Sequence, residues 1–289
     1  TRCERRGPTA RRSDSRIVRT GGDESRMTSA LGRKYWSHVR FAANRTWSER
    51  SELFGRMALL PLFLGVLGAL WKAVADGRMP LPVSGSQMIW YLAMTQWVLF
   101  CVPHPEFELE QQIRRGDITY QLMRPVSLVG TIYAEGLGTL LVQAPAFALG
   151  SFGSALLFAG VFPWRLGEVW LAVPLGLLGA LVLFSFQVAI GISAFWFRNI
   201  APLGWIWSKL TFVLGGLMLP LPVYPQWLER FALDTPFAQC LYGPASILFT
   251  SHASGLALFE QQITWLAIGI AVCWALARSA QQSLTIDGG

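Results

Sequence analysis

Along the chain, long apolar runs alternate with short charged ones, and the gaps between charges set the lengths of the elements to expect. Met57 to Trp71 is uncharged and Arg56 and Lys72 can snorkel from its ends, so residues 53–75 reach the roughly 20 residues a bilayer requires. Residues 79–105 are also uncharged, but Pro80, Pro82 and Pro103 confine the helix to 87–102. Gly136 to Trp164 and Val169 to Phe197 are uncharged runs separated by the polar turn FPWRLGE, which predicts spans at 134–160 and 169–197. Residues 199–228 are interrupted only by Lys209, and the prolines of LPLPVYP end the predicted fifth span, 200–219. A sixth span, 257–277, closes at Arg278.

Two stretches depart from this pattern. Residues 235–259 are apolar yet carry Pro236, Gly243, Pro244 and His252, which fits a re-entrant helical pair held at membrane depth against other protein. In Arg33 to Phe54, Trp36, Val39, Ala43, Trp47 and Phe54 recur at helical spacing among basic residues. That segment reads as an amphipathic helix in the inner interface, either a plain basic anchor or an elbow leading into the first span. The predicted fold class is an all-α polytopic membrane protein: six transmembrane helices, an N-terminal amphipathic interfacial helix, and a re-entrant helical segment before the last span.

Composition agrees with this and narrows the function. Of 289 residues, 53% are hydrophobic and 14% charged, far from the one-quarter charged share of soluble domains. Fourteen of the 24 Lys+Arg fall within residues 1–56, so the net charge of +7 describes one end of the chain, and a nucleic-acid-binding body is not expected. Residues 1–30 lack an apolar run and are rich in Arg, Ser, Gly and Thr, which predicts a disordered basic tail; 284–289 form a short C-terminal tail. The change of pattern just after Met27 leaves Thr1 and Met27 as two candidate start residues. With both termini cytoplasmic, the inner segments hold 19 Lys+Arg against Lys72, Arg78, Arg165 and Arg230 outside, with Lys209 set aside as intramembrane.

The chemistry of an enzyme is not legible here. Cys3, Cys101, Cys240 and Cys273 form no metal-ligand spacing, His38, His104 and His252 are scattered, and no Walker loop occurs. The polar residues inside spans are the sites to examine: Glu135, Gln143, Gln187, Lys209 and Glu260. For Gln143 and Gln187 interhelical hydrogen bonding outweighs substrate contact. Lys209 calls for an acid such as Glu135 or one on a partner chain, or an aqueous path. Between spans two and three, Glu106 to Arg115 reads as a short surface helix with acids leading, Arg114 and Arg115 closing, and Gly116 stopping it. Such a helix can insert into a groove on another protein, with Ile113 as apolar contact and Glu110, Arg114, Arg115 and Asp117 as rim; the alternative is an ordinary polar loop.

The stretch I-R-R-G-D-I-T-Y-Q-L-M-R-P, Ile113 to Pro125, resembles the I-R-x-G-x-x-D-x-x-L-x-R-P pattern of permease subunits of ABC-2 type exporters, closest to the daunorubicin-exporter-like branch with paired permeases. GISAFWFRN (Gly191 to Asn199) and the Pro-rich Leu219 to Phe249 fit it, while Asp117 and Tyr120 sit a few positions from the family's Asp. The resemblance implies coupling to an ABC ATPase dimer through Glu110, Ile113, Arg114, Arg115, Gly116, Asp117, Leu122, Arg124 and Pro125. It also implies no cofactor on this chain, ATP and magnesium at the ATPase, a different but related second permease, membrane lipids around it, and a bacterial plasma membrane location. The alternative reading is an ion-coupled secondary transporter working without an ATPase.

Overall fold

The computed structural model describes residues 20–76, 84–118, 127–160, 166–248 and 255–287. Among them the chain is helical, with no strand. The helices are α1 (Thr20–Ser48), α2 (Arg50–Asp76), α3 (Gly85–Cys101), α4 (Glu106–Arg115), α5 (Leu128–Ala159), α6 (Leu166–Ile192), α7 (Ala201–Leu214), α8 (Gln226–Leu233), α9 (Pro236–Cys240), α10 (Tyr242–Ile247) and α11 (Gly255–Asp287). By length and composition α2, α5, α6 and α11 can each cross a membrane. At 1.5 Å per residue α3 is about 25 Å long and α7 about 21 Å, shorter than a hydrocarbon core of about 30 Å.

The centre of the bundle is α3. Ser84 caps it through a reciprocal capping box with Gln87, and every side chain from Met88 to Val98 is buried. A helix apolar all round is stable only when enclosed, and α2, α5 and α6 enclose this one. Glycines set the closest approaches: a Cβ at Gly138 of α5 would overlap the Val39 carbonyl of α1, and one at Gly179 of α6 would sit 2.6 Å from the Cys240 carbonyl of α9.

The contacts also fix the direction of each helix. Arg45 of α1 meets Glu108 of α4, so the chain returns to the α1 end of the bundle after α2 and α3. Tyr35 bonds Ser127 (3.2 Å), the N-cap of α5, which therefore leaves from that same end. Gly191, near the end of α6, lies against Glu106 and Leu109 of α4, so α6 comes back. Gly255 packs on Leu171 and Gly269 on Ser185, so α11 runs parallel to α6 and ends at the α1 end. Between them α7 reaches mid-height, where the Tyr91 hydroxyl donates to the Gly216 carbonyl, and α9 and α10 lie buried against α6.

Several boundaries differ from the sequence reading. Residues 20–30, expected to be disordered, belong to α1, in keeping with helix formers such as Arg26, Met27, Ala30 and Leu31. The amphipathic helix stops at Ser48, and residues 50–54 open α2 instead. The third long helix starts at Leu128 rather than near 134, because Ser127 accepts from the Gly130 amide and caps it there. The fifth stops at Leu214, short of the prolines, at Gly215 and Gly216, the latter with φ +66°. The last one runs on from 277 to Asp287.

Candidate functional site

Helix α4 is held on one side and presented on the other. Acids occupy its first turn and Arg114 and Arg115 its last, matching the helix dipole, and Gly116 at φ +78° ends it in the left-handed conformation that favours glycine. Its inner face is Glu106, Leu109, Glu110 and Ile113, turned towards α6. Its outer face is Phe107, Glu108, Gln111, Arg114 and Arg115, all exposed, followed by exposed Gly116 and Asp117. Two residues expected at the partner contact thus point inward: Ile113 is half-buried on the core, and Glu110 is buried and paired with Arg114 (3.4 Å). The exposed apolar residue is Phe107, which the sequence reading did not single out. Leu122, Arg124 and Pro125 lie outside the described residues.

Two contacts that the sequence did not disclose tie α4 to the bundle. The Arg45 guanidinium of α1 donates to Glu108 at 2.6 Å and reaches Glu49 at 3.4 Å; the hydrogen bond to Glu108, then its charge, raises the arginine pKa above its ordinary value. At the start of α4, Glu106 is only 5% exposed. Nδ1 of His104 lies 3.1 Å from Glu106 Oε1 and 3.2 Å from Gln187 Nε2 of α6. One ring nitrogen serves only one of them: protonated, it donates to the carboxylate, and unprotonated, it accepts from the amide. No signal in the sequence relates His104 to Gln187, which lies 83 positions away.

The face of α1 packed on α5 is Tyr35, His38, Val39, Ala42 and Thr46, a seam at helical spacing. Trp36 and Trp47 stand on the adjoining face at 65% and 58% exposure, and Val39 lies on the seam itself.

Four of the five intramembrane polar candidates, all but Glu260, line two cavities. One, of about 390 Å³, lies among α1, α2, α4 and α5, and its lining includes Glu135 and Gln143. Glu135 accepts from His38 Nδ1 at 3.0 Å, so it is taken by α1 and does not pair with Lys209. The other, of about 350 Å³, lies among α3, α6 and α7, and its polar lining is Arg56, His104, Gln187, Ser208, Lys209 and Thr211 among apolar side chains. The Lys209 ammonium stands 5.0 Å over the Trp205 ring, a cation–π contact. Glu260 is exposed near the start of α11, where its neighbour Gln262 is buried and donates to the Gln239 carbonyl. Among the described residues no group of His, Cys, Asp and Glu converges as a metal site would.

A bundle with four helices long and apolar enough to cross a membrane is that of an integral membrane protein. The sequence profile of ABC-2 family transporter proteins matches residues 84–288, so the chain belongs to the ABC-2 transporter family. No curated protein matches it.

Proposed function

We propose that this chain is the transmembrane subunit of an ATP-driven exporter, forming half of the translocation path, and that the outer face of α4 receives a separate ATPase. The carrying observation is the two-sided character of α4. Its inner face seats on Gly191 of α6 and its flank on Arg45 of α1, so a push on Phe107, Arg114 and Arg115 is transmitted to both helices. A rigid helix with an exposed apolar anchor inside a charged rim suits docking in a groove. ATP and magnesium act at the ATPase dimer; this chain carries no nucleotide loop.

In this reading the chain crosses six times, with α3 enclosed by its neighbours and α7 extended by the segment through α10 for the fifth passage. The first and last helices both reach the α1 end, and both termini are read as cytoplasmic. That end carries Arg33, Lys34, Arg40, Arg114 and Arg115, an excess of basic residues that supports the reading of a cytoplasmic side in a bacterial plasma membrane. Of the re-entrant segment expected at 235–259, α9 and α10 supply the helical pair of this reading, while 255–259 belong to α11. The likeness to the daunorubicin-exporter-like branch supports a second permease, different but related, and the exposed Trp36 and Trp47 suit contact with lipid.

Purification of the native protein in mild detergent, with mass spectrometry of its partners and an ATPase assay, tests the reading. The expected result is an ATPase with a Walker motif and a second permease. Alanine at Phe107, Arg114, Arg115 and Asp117 is expected to release the ATPase while the permease elutes unchanged. A solitary chain without nucleotide hydrolysis would favour the ion-coupled transporter instead.

A further inference from the structure

Helix α5 is apolar over 32 residues, yet Thr131, Glu135, Thr139 and Gln143 repeat at every fourth position and so form a polar stripe along one face. All four line the cavity among α1, α2, α4 and α5, and the stripe reaches about 12 Å along the helix from Glu135 to Gln143. Polar groups at such depth are costly without partners. Gln143 is only 7% exposed, and its amide oxygen has no hydrogen-bond partner. An orphan acceptor buried in a cavity wall asks for a donor.

The charges around the cavity ask for a cation. Two guanidiniums, Arg45 and Arg56, face four carboxylates, Glu49, Glu52, Glu108 and Glu135. Arg45 is already shared by Glu49 and Glu108. Arg56, also in the lining, is engaged elsewhere, donating to the Phe100 carbonyl at 3.3 Å and lying 5.1 Å over the Phe147 ring. Of the remaining acids, Glu135 has the His38 imidazole, and Glu52 forms no ion pair among the described residues, feeling Arg56 only through space. The carboxylates are spread round the walls and do not converge, which disfavours a compact metal ion. Phe41, Leu53, Ile132 and Phe184 supply apolar wall between them.

We infer that this cavity binds the primary ammonium group of an amphiphile, which donates to the Gln143 amide oxygen and to Glu52 while its apolar body lies along the side chains of α5 and the α1–α2 elbow. The bilayer supplies such a group as an aminophospholipid headgroup, and a free amphiphilic amine carries the same chemistry. The inference concerns binding by this chain alone and stands whether or not an ATPase docks on α4.

The test uses the full-length protein in dodecyl maltoside with tritiated dodecylamine as probe. Glu52→Gln and Gln143→Leu are each expected to weaken binding about tenfold, the loss expected for one charge-assisted or buried hydrogen bond. Glu229→Gln, on α8 at a distance from the cavity, is expected to bind as the parent does. Glu52 is exposed, so its substitution leaves folding intact and the test readable even where Gln143→Leu lowers stability. Competition by lysophosphatidylethanolamine but not lysophosphatidylglycerol assigns the ammonium to a lipid headgroup; competition only by further alkylamine assigns it to a free amphiphile. Equal competition by dodecyl sulfate, or parental affinity in Glu52→Gln, overturns the proposal.

Discussion

At the residue scale, a few glycines and one ion pair hold the elements that matter. Gly138 lets α1 lie directly on α5, because a Cβ there meets backbone, the Val39 carbonyl, which no rotamer change can move. Gly153 on the same helix has nothing within 4 Å of the corresponding position. Gly138→Ala is therefore expected to destabilise the detergent-solubilised protein by about 1–3 kcal/mol, and Gly153→Ala to stabilise it by about 0.5–1 kcal/mol. Thermal unfolding followed by fluorescence-detected size exclusion checks both signs. Arg45 and Glu108 are about half exposed, so their pair contributes only about 0.2–1 kcal/mol. Its value lies in position: Arg45→Glu and Glu108→Arg singly are expected to lower ATPase retention, and the double exchange to restore part of it, while melting barely moves. Retention left at the parental level in both single variants would remove the pair from the coupling route. These details were not legible in the sequence. Glycine spacing announces close packing without naming the partner, and a pair 63 positions apart has no local signature. Lys209 shows the same limit from the other side: of the three surroundings expected for it, the acid of this chain, Glu135, is held by His38, which leaves an acid on a partner chain or an aqueous path.

At the scale of elements, local chemistry was readable and tertiary facing was not. Acids at the start of α4, arginines at its end and Gly116 beyond them fixed both termini of that helix correctly, because capping and dipole effects act within one turn. Which side of α4 is inward depends on α6, so the inward facing of Glu110 and Ile113 has no signature in the segment's own sequence. The early stop of α7 has the same origin: prolines are conspicuous in a sequence, whereas Gly216 becomes a terminus because Tyr91 of α3 captures its carbonyl. The seat of α4 offers a sharp test. A Cβ at Gly191 would come within 2.7 Å of Leu109 Cδ1 and 3.0 Å of the Glu106 backbone. Gly191→Ala is expected to lift α4 off α6 without touching its outer face. Export and stimulated ATPase activity should fall several-fold together while the isolated permease still elutes as a single species. Unchanged stimulation would mean that α4 is free to move without consequence, and the mechanical role proposed for it would fail.

For the whole molecule, the contacts support the proposed six passages between the two ends of the bundle where hydropathy alone supports four. Four helices suffice by length, yet the ion pair between α1 and α4 requires α3 to bring the chain back, although α3 has only 17 residues. The parallel course of α6 and α11 likewise requires a return passage through α7 to α10, where the longest straight helix has 14 residues. The described cysteines, Cys101, Cys240 and Cys273, are buried, so with Cys3→Ser a single engineered thiol reports its own side of the membrane. Ser48→Cys, Gln111→Cys and Ser279→Cys all occupy exposed positions at the α1 end and are expected to react with an impermeant maleimide only in inside-out vesicles. Ser86→Cys and Gln226→Cys, at the start of α3 and in α8, are expected to react only from the outside of intact spheroplasts. Each alternative leaves its own trace. If residues 235–259 crossed the bilayer in addition to α7, Ser279→Cys would label from outside while Gln111→Cys stayed inside. If α3 failed to cross, Gln111→Cys and Ser48→Cys would label from opposite sides, which the 2.6 Å bond between Arg45 and Glu108 forbids in a single folded chain.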